Sequence, residues 1–206
     1  VARHVATTKI EEPAIAGVAI GHHKGHIAGQ AGLGDQLFHR PARLQFDLGF
    51  ARLGPWRFFG GILIIKKLGD QEHRMVLTSE FGSKIFDFSF KKGEFKKNYI
   101  LEELDKKILV NTLRDDLQLL VKEQGEVLKQ FRTEGLTLFQ TDYLNRNGYY
   151  YMEASTRRID EIAYASKRKK KMQILFEDIE EDLAKNITIE HYTMKLNMEL
   201  IYLEQK

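Results

Sequence analysis

Apolar and polar residues alternate along the segment 85–90, where Phe86, Phe88 and Phe90 are separated by Asp87 and Ser89. A period of two residues is typical of a β-strand that buries one face. The segment 62–65 is apolar at every position, which indicates a central strand buried on both faces. Comparable patterns predict further strands at 74–78, 95–101, 136–141, 149–155, 159–165, 172–177 and 187–203.

The last of these segments changes the face that carries its apolar residues. Ile187 and Ile189 share one parity, whereas Leu196 and Met198 take the other. An extra residue in a strand produces such a change and bends the strand. We therefore predict one long strand over 187–203 with a bulge near His191.

One segment has the spacing of a helix instead. Its apolar residues recur every three or four positions with charged residues between them, at Leu104, Ile108, Leu113, Leu117, Leu120 and Val121. This pattern predicts an amphipathic helix that ends near Gly125. Turns are predicted at Gly69-Asp70, Lys92-Gly93 and Asn147-Gly148. Together the elements predict an α+β fold, mostly β, in which a curved antiparallel sheet or half-barrel is covered by one or two helices.

The composition of the chain changes near Trp56. Residues 1–56 hold all three prolines and five of the seven histidines, whereas residues 57–206 contain no proline. The first segment shows no sustained strand or helix period. We predict that residues 1–56 are a poorly ordered segment or sequence that is not native to this protein, and that residues 57–206 form the folded domain.

Charge and length narrow the functional classes. The 206 residues are 43% apolar and 30% charged, with a formal net charge of +3. This small excess of positive charge does not indicate a nucleic-acid partner, which needs clustered basic residues. The absence of cysteine excludes disulfides, thiolate metal sites, a cysteine nucleophile and a lipid-acceptor cysteine in this chain. The opening residues do not show the pattern of an export signal.

Candidate chemistry is sparse. His22, His23 and His26 lie close together, but no regular element frames them, so we expect a polar segment without a metal. No nucleophile and base stand at a spacing typical of an enzyme. His73 or His191 as the base of a hydrolase or isomerase is the weakest alternative. The basic run 167–171 is expected to be a solvated hairpin loop, and no cofactor is expected.

The aromatic residues on the strands leave two alternatives open. They fill a solid core, or they line an apolar cavity beneath the helix, as in lipid-binding barrels. Both arrangements bury the same side chains, so the pattern alone favours neither.

Four segments carry a resemblance to a known group: FFGGILIIKK, HRMVLTSEFGSKIFDFSF, LDKKILVNTLRDDLQLLV and NITIEHYTMKLNMELIYL. Residues from about 57 to 204 resemble the LolA/LolB-like superfamily of bacterial outer-membrane lipoprotein carriers and receptors, particularly its small uncharacterised lipoproteins. The resemblance implies a half-barrel with a helical lid and an interior that holds acyl chains. It also implies a location in the periplasm or at the outer membrane.

Receptor-type members carry a loop with the sequence Pro-Leu-Gly that exposes an apolar residue toward the membrane. Glu80-Phe81-Gly82 stands at the matching place, with Glu80 instead of proline. The resemblance thus implies that Phe81 contacts the membrane or an acyl chain and that Gly82 permits the turn.

The leading hypothesis is non-enzymatic binding of the acyl chains of a lipid or lipoprotein, with peripheral contact to a membrane and no nucleic acid. The predicted lining residues are Ile64, Leu77, Phe86, Phe88, Tyr151, Leu196 and Met198. The alternative is a structural or interaction module with a filled core and no ligand.

Overall fold

The computed structural model describes residues 25–28, 42–48, 57–122, 124–144, 146–166, 169–180 and 183–203. His22 and His23 lie outside the described residues, and of His26 only the backbone is described. The candidate metal-binding histidines therefore stay a matter of prediction.

The described part of the chain forms thirteen strands, one α-helix and one short 3-10 turn. The strands are β1 (Gly25–Ala28), β2 (Ala42–Leu48), β3 (Arg57–Gly69), β4 (Glu72–Thr78), β5 (Lys84–Lys91), β6 (Glu94–Ile100), β7 (Gln124–Arg132), β8 (Leu136–Tyr143), β9 (Arg146–Glu153), β10 (Ile159–Ser166), β11 (Lys169–Glu180), β12 (Leu183–His191) and β13 (Leu196–Tyr202). The 3-10 turn is Glu102–Leu104, and the helix α1 is Lys107–Leu120.

All neighbouring strands are antiparallel, in the spatial order β1-β7-β8-β9-β10-β11-β12-β13-β2-β3-β4-β5-β6. The sheet is open, because β1 and β6 are its two edges in the described part of the chain. The prediction of an α+β fold with a curved antiparallel sheet and a covering helix is confirmed.

Strand β2 has an unusual position for an element so early in the chain. It pairs with β13 on one side, where Met198 is opposite Phe46, and with β3 on the other, where Phe46 is opposite Phe59. Strand β2 thus joins the two halves of the sheet. The division of the chain at residue 56 stays a prediction.

Helix α1 buries one side against the sheet, and the spacing predicts this side correctly except at Ile108. Leu109, Leu113 and Leu117 are each at most 3% exposed, whereas Ile108 is 65% exposed. We call the face of the sheet that α1 covers the inner face and the opposite one the outer face. The register aligns apolar residues along the inner face, including Tyr150, Ile162, Ile174, Ile189 and Met198.

Two predictions about connections are corrected. Residues 187–203 are not one bent strand, because β12 ends at His191 and β13 begins at Leu196, and the two pair as an antiparallel hairpin. The change of parity marks this turn, not a bulge. The hairpin predicted at Asn147-Gly148 is formed by β8 and β9, but both residues lie inside β9.

The described lysines of the basic run begin β11 and are not confined to a loop. The Lys170 ammonium donates to Glu161 on β10 and to the side chain of Gln173. It also lies 5.9 Å from the centre of the Tyr192 ring. Lys170 is thus bound into the sheet surface, while residues 167 and 168 lie outside the described part.

A buried carboxylate organises the outer face of β4, β5 and β6. The Asp87 side chain is 2% exposed and accepts two hydrogen bonds from the Arg74 guanidinium, at 2.9 and 2.7 Å. Lys84 donates to it at 3.2 Å and Asn98 at 3.1 Å. The hydrogen bonds from Arg74, with smaller help from Asn98 and Lys84, outweigh burial and lower the pKa of Asp87 to about 2.

The variant Asp87→Asn is expected to lose about 1 to 2 kcal/mol of stability at neutral pH, because it removes the charge that Arg74 binds. The folded-state pKa lies below the ordinary value of 3.8. The stabilisation is therefore complete above about pH 4 and is lost as the pH falls toward 2. Urea unfolding at several pH values measures this effect, with Asp160→Asn at an exposed position as the control. A deficit that stays constant down to about pH 2 would contradict this account.

Candidate functional site

The space between α1 and the inner face is packed with apolar side chains. Phe86 and Phe88 stack with ring centres 4.5 Å apart and planes 13° apart, and Phe95 meets Phe88 edge-on at 5.1 Å. Leu113 and Leu117 of α1 belong to the same buried cluster. In the described conformation these side chains fill the region where an acyl chain is expected.

Five of the seven predicted lining residues lie in this buried cluster, namely Leu77, Phe86, Phe88, Leu196 and Met198. The prediction of a lining role for them is not tested by the burial itself, because a solid core buries them equally.

The other two predicted lining residues, Ile64 and Tyr151, lie on the outer face of the sheet. Ile64 is 45% exposed on the outer face, while its neighbours Leu63 and Ile65 are buried on the inner face. Tyr151 is opposite Glu161 on the outer face, where burial and the nearby Glu161 carboxylate raise its pKa to about 12. The inner position belongs to Tyr150. The register of β3 and β9 corrects both assignments, since one step along a strand reverses the face.

A polar pair crosses the apolar interface between α1 and the sheet. Asp116 Oδ2 of α1 lies 2.8 Å from His191 Nε2 at the end of β12, and the two side chains are 1% and 2% exposed. Burial raises the pKa of Asp116, and His191 opposes that shift. Among the described residues, no hydrogen-bond partner meets the other carboxylate oxygen, Oδ1. The sequence does contain a signal for this pair, because the acidic residue Asp116 stands between Leu113 and Leu117 on the apolar side of the helix.

The loop between β4 and β5 presents Phe81 to solvent. Ser79 and Ser83 close the loop through a backbone hydrogen bond of 2.7 Å, and the Ser79 hydroxyl accepts from the Ser83 amide at 3.1 Å. Gly82 has a φ of 83°, which favours glycine, and Phe81 is 97% exposed. The loop thus holds a large apolar side chain away from the protein. A role in membrane contact is a prediction that this geometry does not test.

A polar cavity of about 380 Å³ lies at the C-terminal end of α1, and we call it the end pocket. Its polar lining consists of Gln71, His73, Lys92, Gln118, Lys122 and Asp142. Its apolar lining comes from Phe90, Val121 and Leu144. None of the predicted acyl-lining residues contributes to it.

The two histidines considered as bases lie in different places. His73 is 2% exposed and lines the end pocket, which also contains the carboxylate of Asp142. His191 lies beneath α1 with Asp116. The side chains that line the end pocket include no serine, threonine or cysteine to act as a nucleophile.

Comparison with solved structures identifies the architecture. A LolA superfamily protein from Nitrosomonas europaea superimposes with a TM-score of 0.51 at 9% sequence identity, over 86% of this chain and 92% of the other. The fold of this chain is similar to that of this LolA superfamily protein. No family model and no curated protein sequence matches the chain.

Two further structures superimpose less closely on this LolA-like fold. A DUF1329 family protein from Desulfovibrio piger has a TM-score of 0.44 at 7% identity, over 82% of this chain and 87% of the other. A domain from Vibrio parahaemolyticus that is assigned to outer membrane lipoprotein sorting has a TM-score of 0.44 at 9% identity, over 82% and 84%. In the part of the chain that the structure describes, the helix is not long and apolar enough to cross a bilayer.

Proposed function

We propose that this protein binds acyl chains of a lipid or lipoprotein between α1 and the inner face of the sheet, without covalent chemistry. The observation that carries the proposal is the LolA-like arrangement of one amphipathic helix over an apolar inner face. Each methylene that leaves water contributes about 0.8 kcal/mol, so a chain of moderate length binds by desolvation alone. We also propose, from the same likeness, a location in the periplasm or at the outer membrane.

The packed interior sets a condition on this function. Leu77, Phe88 and Leu117 are fully buried, so a hydrocarbon chain enters only when α1 moves away from the sheet. The contacts that hold α1 include Asp116 with His191, Thr112 with Met194, and Gln118 with the Gly93 carbonyl at 3.2 Å. Tethering the helix is therefore expected to block binding.

A crosslink between α1 and the β12–β13 turn tests this condition. Thr112 Oγ1 lies 3.8 Å from Met194 Sδ, and the chain has no cysteine of its own. In the variant Thr112→Cys/Met194→Cys, a short thiol-reactive linker is expected to weaken binding of a dansyl-labelled fatty acid at least about tenfold, which corresponds to about 1.4 kcal/mol. Before linkage, the same variant is expected to bind like the wild type.

The matched control places the same linker where it does not restrain α1. Gln140 on β8 and Asn147 on β9 are exposed neighbours whose side chains form a 3.0 Å hydrogen bond. Linked Gln140→Cys/Asn147→Cys is expected to keep full binding. Unchanged binding after the Thr112–Met194 linkage would show that the acyl chain does not enter beneath α1. A wild-type protein that binds no fatty acid and carries none in native mass spectrometry would favour the interaction module with a filled core.

We also propose that Phe81 makes the membrane contact. Because Phe81 is almost fully exposed, Phe81→Asp is expected to leave stability unchanged. It is expected to reduce sedimentation with phosphatidylglycerol vesicles about tenfold, since insertion of a phenyl ring contributes about 1.5 to 3 kcal/mol. Leu68→Asp is the control, because Leu68 is 51% exposed at the end of β3 and lies far along β4 from the loop that contains Phe81. Equal losses in the two variants would contradict a specific role for this loop.

A further inference from the structure

The end pocket is built from four separate segments that meet at one end of α1. Gln71 comes from the β3–β4 turn, Lys92 from the β5–β6 turn, Lys122 from the residues after α1, and Asp142 from the end of β8. Its volume of about 380 Å³ lies within the usual range of small-molecule sites. It contains none of the predicted acyl-lining residues, and it meets the buried cluster beneath α1 only at Phe90 and Val121.

Hydrogen bonds hold the rim of the pocket in place without a ligand. The Lys92 amide donates to the Gln71 carbonyl at 2.9 Å, which ties the two turns together. The Gln118 side chain donates to the Gly93 carbonyl at 3.2 Å, which ties α1 to the second turn. A rim fixed in advance lowers the entropy that a ligand loses on binding.

The charges favour an anion. The residues that line the pocket include two lysines, Lys92 and Lys122, and one aspartate, Asp142. Burial lowers the pKa of Lys122, and Asp142 only partly opposes the shift. An anion in the pocket would stabilise the charged form of Lys122. The last carbonyl groups of α1 carry partial negative charge, which favours the ammonium group of Lys122 two residues beyond the helix.

The remaining wall is apolar. Phe90 and Val121 are 3% and 5% exposed, and Leu144 is 45% exposed at the mouth. The polar and apolar walls together match a ligand with one charged end and one short hydrocarbon part.

We propose that the end pocket binds a small ligand with a carboxylate or phosphate group next to a short apolar group. A free metabolite of this chemistry and the head of an anionic amphiphile are the two sources. Binding is non-covalent, with Lys92 and Lys122 contacting the anion and Phe90 contacting the apolar part.

Titration with sodium octanoate and with octyl phosphate, followed by amide chemical shifts, tests the proposal. Saturable shifts are expected at Lys92, Gly93 and Leu144. Lys92→Gln and Lys122→Gln are each expected to weaken binding roughly fivefold, as the loss of one ion contact predicts. Asp142→Asn is expected to strengthen binding, because it removes a repulsive charge. Lys129→Gln, at an exposed position on β7, is expected to have no effect.

The sign of the Asp142→Asn effect separates binding from loss of structure, since a damaged pocket binds more weakly whatever the charge. The proposal is overturned when octanoate and octyl phosphate both fail to saturate, when both lysine variants bind like the wild type, or when Asp142→Asn weakens binding. If inorganic phosphate binds as tightly as octyl phosphate, the ligand does not need an apolar group and that part of the proposal is overturned. Comparison of the affinities for acetate and octanoate distinguishes the two sources of the ligand, a free small anion and the head of an amphiphile.

This inference stands apart from the acyl-binding proposal. The Thr112–Met194 linkage is expected to leave octanoate shifts at Lys92 intact even as it blocks entry beneath α1. If the linked protein keeps the end-pocket shifts and the wild type binds no long-chain fatty acid, only the acyl-binding proposal fails.

Discussion

Gly61→Ala is expected to destabilise the protein by more than about 3 kcal/mol or to prevent folding. A Cβ atom at Gly61 would lie 1.9 Å from the Thr78 carbonyl oxygen and 2.8 Å from its carbon. Both are backbone atoms, so no side-chain rotation relieves the overlap. Strands β3 and β4 would have to separate at a point where Ile62 is opposite Thr78. Urea unfolding followed by circular dichroism measures the loss.

Two other glycines are matched controls for this variant. A Cβ at Gly135 meets no atom within 4 Å, and that residue does not have a positive φ, so Gly135→Ala is expected to change stability by less than about 0.5 kcal/mol. Gly82 is equally open but has a φ of 83°, so Gly82→Ala is expected to lose about 1 kcal/mol through backbone strain. Equal losses at Gly61 and Gly135 would contradict the close approach of β3 and β4.

His191→Leu is expected to lose about 3 kcal/mol at neutral pH, because it leaves the Asp116 carboxylate buried without its partner. The double variant Asp116→Leu/His191→Leu is expected to regain most of that loss, since apolar side chains fit the surrounding cluster. A double-mutant cycle by urea unfolding gives the coupling between the two residues. A double variant as unstable as His191→Leu would show that packing, and not the unpaired charge, causes the loss.

The loss in His191→Leu is also expected to depend on pH. Burial already raises the pKa of Asp116 above 3.8, and removal of His191 takes away the group that opposes this shift. A folded-state pKa above the unfolded value means that the folded protein binds the proton more tightly. Stability of the variant therefore falls as the pH rises through the folded-state pKa, and its deficit shrinks on acidification toward about pH 4. A deficit that is independent of pH would contradict a charged Asp116 in the variant.

The elements whose apolar side chains lie mainly on one face are those that the sequence predicts well. In β5 the buried Phe86 and Phe88 and the polar residues between them repeat every second position, and in α1 the buried leucines repeat every third or fourth. In both cases the apolar core on one side imposes a period on the sequence. The curved antiparallel sheet with a covering helix follows from these periods.

Other elements do not show a period because their geometry interrupts it. Strand β7 is missed since the register shifts between Val127 and Lys129, which breaks the alternation. The β12–β13 turn is missed since residues 192–195 contain no glycine, proline, asparagine or aspartate. Ile64 and Tyr151 are assigned to the wrong face because apolar residues stand on both sides of them, so composition does not show the parity.

The candidate sites depend on contacts between distant residues. Asp116 and His191 are 75 positions apart, and only the topology brings α1 to the end of β12. The end pocket draws on four segments between Gln71 and Leu144. Spacing in the sequence does not show such contacts, whereas the loop that exposes Phe81 is local and stands where the resemblance implies it.

The insertion of β2 between β13 and β3 has a consequence for how the molecule assembles. Strand β2 is synthesised about 150 residues before its partner β13, so their pairing is strongly non-local and slow to form. Until then the free edge of β3 is open to strands from other molecules. Cleavage of the chain between β2 and β3 would remove the covalent link between these paired strands, and loss of β2 would leave the facing edges of β3 and β13 unpaired.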